Sequence, residues 1–230
     1  VWCLRENLGT NINSGNAITI ATNNVTIDCN GFKIGGLAAG DGSEARGIYA
    51  DNRQNATVRH CNVRGFQFGI WLKGGAGHVV EDNRLDNNLV HGIRVSGDNN
   101  LVQRNLVYDT GGSTRTGLGI GIAASADVID NTVAGVLSEN YAFGILVGGA
   151  HKVRNNRVRG LQGDGGVYGI QLYSPGSAVD GNQLAVPAGS RGYGILDSSS
   201  GSGTACSNNV VSGFRTPMQG CVDAGGNTSL

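Results

Sequence analysis

Gly69-Ile-Trp-Leu-Lys73, followed by Val79-Val-Glu-Asp-Asn83-Arg-Leu85 and then Gly92-Ile-Arg-Val-Ser96, contains the unit from which the rest of the chain is built. Gly-Ile recurs at Gly47, Gly69, Gly92, Gly121, Gly144, Gly169 and Gly194, at intervals of 22, 23, 29, 23, 25 and 25 residues. Self-similarity at that period marks a repeat architecture. Between the pairs runs a second register, apolar-x-x-Asn-x-apolar. It reads Ile27, Asn30, Phe32; Val80, Asn83, Leu85; Val102, Asn105, Val107; Val128, Asn131, Val133; Val153, Asn156, Val158; Val179, Asn182, Leu184; and Cys206, Asn209, Val211. In one copy, Val58 to Val63, Cys61 stands where Asn is expected.

Each unit shows short β-branched runs that alternate at period two, and no 3.6-residue stripe survives for three turns, so helical repeats are excluded. Three strands fit a unit: Gly-Ile-x-apolar, the run ending before the Asn, and the Asn-x-apolar run. Stacking about eight such coils at about 4.8 Å gives a rod on the order of 40 Å long, every strand pairing in parallel with its own copies. The expected interior is the file Ile48, Ile70, Ile93, Ile122, Ile145, Ile170, Ile195. Asn tolerates the left-handed conformation of a tight corner, and stacked amides can hydrogen-bond as a ladder along the rod.

On these residues the chain resembles the right-handed parallel β-helices of the pectin-lyase-like superfamily, in the loosely patterned form of its bacterial secreted members, over residues 17 to 222. The resemblance implies an all-β solenoid, with residues 1–230 as one domain. It also implies an Asn corner between the second and third strands, and ligands on the outer face of the first strand under loops that leave the third. The same coil carries lyases, hydrolases, epimerases, phage tailspikes and proteins without a reaction, so fold does not name chemistry.

Forty glycines would suggest low complexity if unpatterned, but many sit at fixed repeat positions, which argues for corners. The 17 basic and 17 acidic residues cancel, so no global field points to nucleic acid or an anionic membrane. No apolar run approaches the length of a membrane span. The opening Val1-Trp2-Cys3 reads either as the start after a removed signal peptide or as a chain that had none.

Among five cysteines, Cys3 and Cys29 are about one coil apart and Cys206 and Cys221 lie near the other end. Both pairs are expected as disulfide staples for terminal coils, which have only one neighbour each. Two bridges imply an oxidising compartment, hence a secreted or periplasmic protein; the plain alternative is five buried thiols. Cys61 is left over and is expected as a buried replacement for a ladder Asn. No Cys-x-x-Cys or Cys/His metal spacing occurs, so no metal or cofactor is expected.

Loop lengths point to a place. From the third-strand apolar residue to the next Gly-Ile the chain uses 15 positions (Phe32 to Gly47), then 6, 7 and 14 (Val107 to Gly121). Two short-looped coils are thus bracketed by Gly35 to Arg46 and Asp109 to Leu118, expected as two walls. The floor between them is the outer face of the Gly69 and Gly92 strands. Alternation aims Trp71, Lys73, Arg94 and Ser96 outward, with Tyr49 and Asp51 on the coil before, and puts Phe68 and His91 at the floor's edge. Trp71 can stack on a sugar while Lys73 and Arg94 pair with a carboxylate, and Arg46 and Arg115 on the walls add positive charge. That combination suits an acidic, uronate-containing polysaccharide. The plain alternative is a sheet covered by aromatics and kept soluble by scattered charges.

Catalysis has less support. The carboxylate cluster of a calcium pectate lyase, the Gly-His-Gly and Arg-Ile-Lys of polygalacturonases, and the Asp-Pro-His-Asp of alginate epimerases are all missing. What remains is a metal-free β-elimination: Arg94 or Lys73 neutralises the uronate, His91 takes the proton and Tyr49 protonates the leaving oxygen. His60, His78 and His151 are weaker candidates; the last two share a repeat position with Asn100 and Ser177, which reads as a polar corner. Two function classes follow. One is a carbohydrate-binding protein, with cleavage open. The other is a scaffold, monomeric or associating end to end or laterally through exposed strand edges.

Overall fold

The computed structural model describes residues 1–199 and 203–230. Of a polar turn expected at Ser198 to Gly203, residues 200–202 lie outside the described residues. The chain forms a right-handed parallel β-helix of about nine turns, with no α-helix among the described residues and one 3-10 turn at Leu37–Ala39. Two coils lack Gly-Ile and so escaped the repeat: Ile18 stacks under Ile48 at one end, and Met218 stacks on Ile195 at the other.

The expected isoleucine file is the core of the first sheet. Ile48, Ile70, Ile93, Ile122, Ile145, Ile170 and Ile195 pair directly from coil to coil and are fully buried. Val58, Val80, Val102, Val128, Val153 and Val179 fill the second side, and Val63, Leu85, Val107, Val133, Val158 and Leu184 the third. Each inward side chain thus meets its own copies above and below, which is why apolar type recurs at fixed positions.

The glycines of the Gly-Ile pairs are not corners. They lie within strands, and a Cβ on any of them would come 2.4–2.7 Å from a carbonyl oxygen of the next coil. Close coil-to-coil approach, rather than backbone freedom, demands glycine there.

The Asn ladder is continuous. Asn83, Asn105, Asn131, Asn156, Asn182, Asn209 and Asn227 pass amide hydrogen bonds from coil to coil at 2.9–3.1 Å. Each Nδ2 also donates to a carbonyl of the coil before, as from Asn131 to Val102 and from Asn156 to Val128. The left-handed residue of each corner is the one preceding the Asn: Asp82, Arg104, Asp130, Asn155, Gly181 and Asn208 all have positive φ, whereas the ladder asparagines do not. The Asn side chain satisfies the corner's backbone, and its neighbour makes the turn.

The first coil departs from the expected frame. Ile34, not Phe32, stacks under Val63, and Asn30 is exposed at φ 49° with its amide on Leu4 O. Two extra corner residues shift the register, and a disulfide replaces the ladder: Cys29 is bonded to Cys61, whose own N–H donates to Asn83 Oδ1. The expected Cys3–Cys29 bridge is therefore absent. Cys3 pairs alongside Asp28 and is exposed, while Cys29 turns inward and is fully buried, so the two thiols face opposite sides of the sheet. Cys206 and Cys221 are bonded, with α-carbons 5.9 Å apart.

Candidate functional site

On the outer face of the first sheet, the residue before each Gly-Ile and the residue after it both point outward. Pairing runs Phe68 to His91 and Ile70 to Ile93, while Gly69 and Ile70 are both buried, so strict alternation fails at the glycine. Phe68 is thereby brought from the floor's edge onto the floor, its ring stacked 4.4 Å from that of Trp71. His91 stacks on the other side at 4.8 Å, and Tyr49 meets Trp71 edge-on at 5.5 Å.

Trp71 faces outward, as its position predicts, and is half-buried in this cluster. Two guanidiniums flank it. Arg46 Cζ lies 4.9 Å from the Trp71 ring and 4.8 Å from Tyr49; Arg94 Cζ lies 5.1 Å from Trp71 and 5.8 Å from Phe68. Arg46 hydrogen-bonds Asn16 Oδ1, and among the described residues neither arginine has a carboxylate partner. Lys73, by contrast, is joined to Asp51 at 3.5 Å, and Ser96 Oγ accepts from Gly74 N.

The two long loops do not stand apart as walls. Arg115 Nε donates to Gly42 O at 2.7 Å, its Nη1 meets Glu44 at 3.2 Å, and Thr114 N donates to Asp41 O. Residues 35–46 and 109–118 therefore join into one strap, because the short turns between them leave nothing to hold them apart. Phe66, Asn88, Leu89, Val90 and His91 are buried, and Gly111 N and Ser113 N of the strap donate to Asn88 O and Leu89 O. Arg115 is engaged with Glu44 instead of facing Trp71.

His91 departs furthest from its expected role. It is 7% exposed, its Nδ1 has no hydrogen-bond partner among the described residues, and burial, with the positive charge of Arg94, pushes its pKa down to about 3. An imidazole so reluctant to take a proton is a weak general base. The other histidines are structural in their contacts. His78 is fully buried, with Nδ1 accepting from Ala56 N and Nε2 donating to Gly74 O. His60 lies 3.2 Å from Asp28, and His151 N–H donates to Ser177 Oγ.

One feature of this face was legible but unread. The position before Gly-Ile forms a single file along the rod, Arg46, Phe68, His91, Ile120, Phe143, Tyr168, Tyr193. Phe143 stacks on Tyr168 at 4.8 Å and Tyr168 on Tyr193 at 5.7 Å. The signal was the recurrence of an aromatic immediately before the glycine.

A family model described as "Right handed beta helix region" matches residues 6–158, about two thirds of the chain. No curated protein and no solved structure matches the chain significantly. With repeat, core and matched region in agreement, the chain belongs to the right-handed β-helix family.

Proposed function

We propose that this β-helix binds an acidic saccharide across Arg46, Trp71 and Arg94, outside the cytoplasm, and does not cleave it through His91. The observation that carries the reading is the pair of guanidiniums at 4.9 and 5.1 Å from one half-buried indole, both without a carboxylate partner among the described residues. A uronate would place its carboxylate on the arginine forks and a C–H face against the exposed part of the aromatic cluster. Two disulfides support an oxidising compartment. The likeness to pectin-lyase-like proteins supports a carbohydrate ligand on this face of the coil.

Calorimetric titration with an oligouronate and with its neutral, carboxyl-reduced analogue tests the reading. Arg94→Ala is expected to weaken the uronate by about 1 to 3 kcal/mol, the range of a charge-assisted hydrogen bond, and the neutral analogue much less. Trp71→Ala is expected to weaken both. Equal losses for the two ligands in Arg94→Ala would remove carboxylate recognition. Appearance of the unsaturated product, read by absorbance and abolished in His91→Phe, would restore cleavage.

A further inference from the structure

A second cationic feature lies on a different side of the rod. The strand Arg157–Arg159 belongs to the third sheet; Val158 points into the core, so Arg157 and Arg159 point out together. Outward residues two apart on a strand are separated by about 6.6 Å, within reach of two long side chains converging on one group. Their in-register neighbours are Thr132 and Ala134 on the coil before and Gln183 and Ala185 on the coil after. None carries a negative charge.

Among the described residues, five other arginines are neutralised by carboxylates. Arg59 is paired with Asp28, Arg64 with Asp86, Arg104 with Glu81 and Asp82, Arg115 with Glu44, and Arg154 with Asp180. The side chains of Arg157 and Arg159 are exposed and have neither an ion pair nor a hydrogen bond among the described residues. They also flank one end of a groove of about 230 Å³. It runs up the rod past Gln183 and Ala185 to Val210 and Ser212, with Leu230 at its far end. Ala185 and Ser212 are small and give the groove depth; Gln183 and Ser212 offer neutral donors along it.

We infer that this groove is an oxyanion site, taking a sulfate or phosphate ester carried on a saccharide, separate from the Trp71 patch. The preference over a carboxylate follows from shape. A planar carboxylate presents one bidentate edge and satisfies one guanidinium fork, whereas a tetrahedral ester group presents several edges and can satisfy two. No aromatic ring lines the groove, so the charged group, not a sugar face, sets the selectivity.

The test is a titration of the whole chain, followed by the ¹H–¹⁵N signals of the arginine Nε–H groups, with glucose 6-sulfate, glucose 6-phosphate and glucuronate. At the Arg157 and Arg159 signals both esters are expected to bind at least about tenfold more tightly than glucuronate, and the two ester arms decide which source is preferred. Arg157→Gln with Arg159→Gln is expected to lose ester binding. Arg157→Lys with Arg159→Lys, which keeps the charge but not the fork, is expected to lose about tenfold. Unchanged circular dichroism and melting of both double variants keep the comparison clean, as expected for exposed side chains. Arg94→Ala should leave ester binding untouched, so the inference stands or falls independently of the acidic-saccharide reading. Equal affinity of ester and glucuronate read at the Arg157 and Arg159 signals, or full ester binding by the glutamine variant, would overturn it. So would tighter binding of a short DNA duplex than of either ester at equal salt, which would reassign the groove to nucleic acid.

Discussion

Replacing Asn156 by Ala probes the ladder at its centre. Asn156 is 1% exposed. Its Nδ2 donates to Val128 O at 2.8 Å and to Asn182 Oδ1 at 3.0 Å, and its Oδ1 accepts from Asn131 N at 3.0 Å and from Asn131 Nδ2 at 3.1 Å. Asn131 Nδ2 keeps the carbonyls of Val102 and Ile129 after the change, and Asn182 Oδ1 keeps the backbone N–H of residue 156. The Asn131 N–H loses its acceptor, and Val128 O loses this donor. At about 1 to 3 kcal/mol for each of these two buried groups, the substitution should cost about 2 to 6 kcal/mol. Asn227 occupies the last rung, half-buried, where water can replace the lost amide, so Asn227→Ala should cost about 1 kcal/mol. Denaturant unfolding followed by circular dichroism, compared at a common slope, measures both. If Asn156→Ala and Asn227→Ala cost the same, burial of the ladder amides does not set their contribution to stability.

Four further outcomes are expected. His91 has its pKa held near 3 in the fold, below the unfolded value of about 6.5, so between those limits the unfolded chain binds a proton that the native chain refuses. Stability should therefore fall as pH drops from 6.5, by at most about 1.4 kcal/mol per unit from this residue; His91→Phe should shrink the loss between pH 7 and pH 4.5, and an unchanged slope would contradict the burial argument. Gly144→Ala puts a Cβ 2.4 Å from Val158 Cγ1 and 2.6 Å from Gly169 O, so it should lower stability by more than the roughly 1 to 3 kcal/mol of ordinary overpacking. Gly9→Ala, with open space at its Cβ, should be near neutral by thermal melting. Thiol titration of the native, unreduced chain should find Cys3 alone reactive, whereas reaction at Cys29 or Cys61 would contradict the pairing described.

Repetition made the coil, its parallel pairing and its core legible from the residues alone. An inward position must fit its own copy one coil away, so the same residue type returns at the same place, and the Ile48-to-Ile195 file and the Asn83-to-Asn209 ladder could be read directly. Trp71 facing outward followed from the same alternation. Tertiary structure decided what depends on distances between unlike segments. Cys29 chose Cys61 over Cys3 because sheet side, not spacing, determines which thiols meet. Phe68 reached Trp71 because the strand breaks its alternation at Gly69. The loops at 35–46 and 109–118 joined through Arg115 and Glu44, and His91 was buried against Phe68, where burial pushes its pKa down. None of these contacts recurs from coil to coil, so the period that reveals the fold carries no record of them.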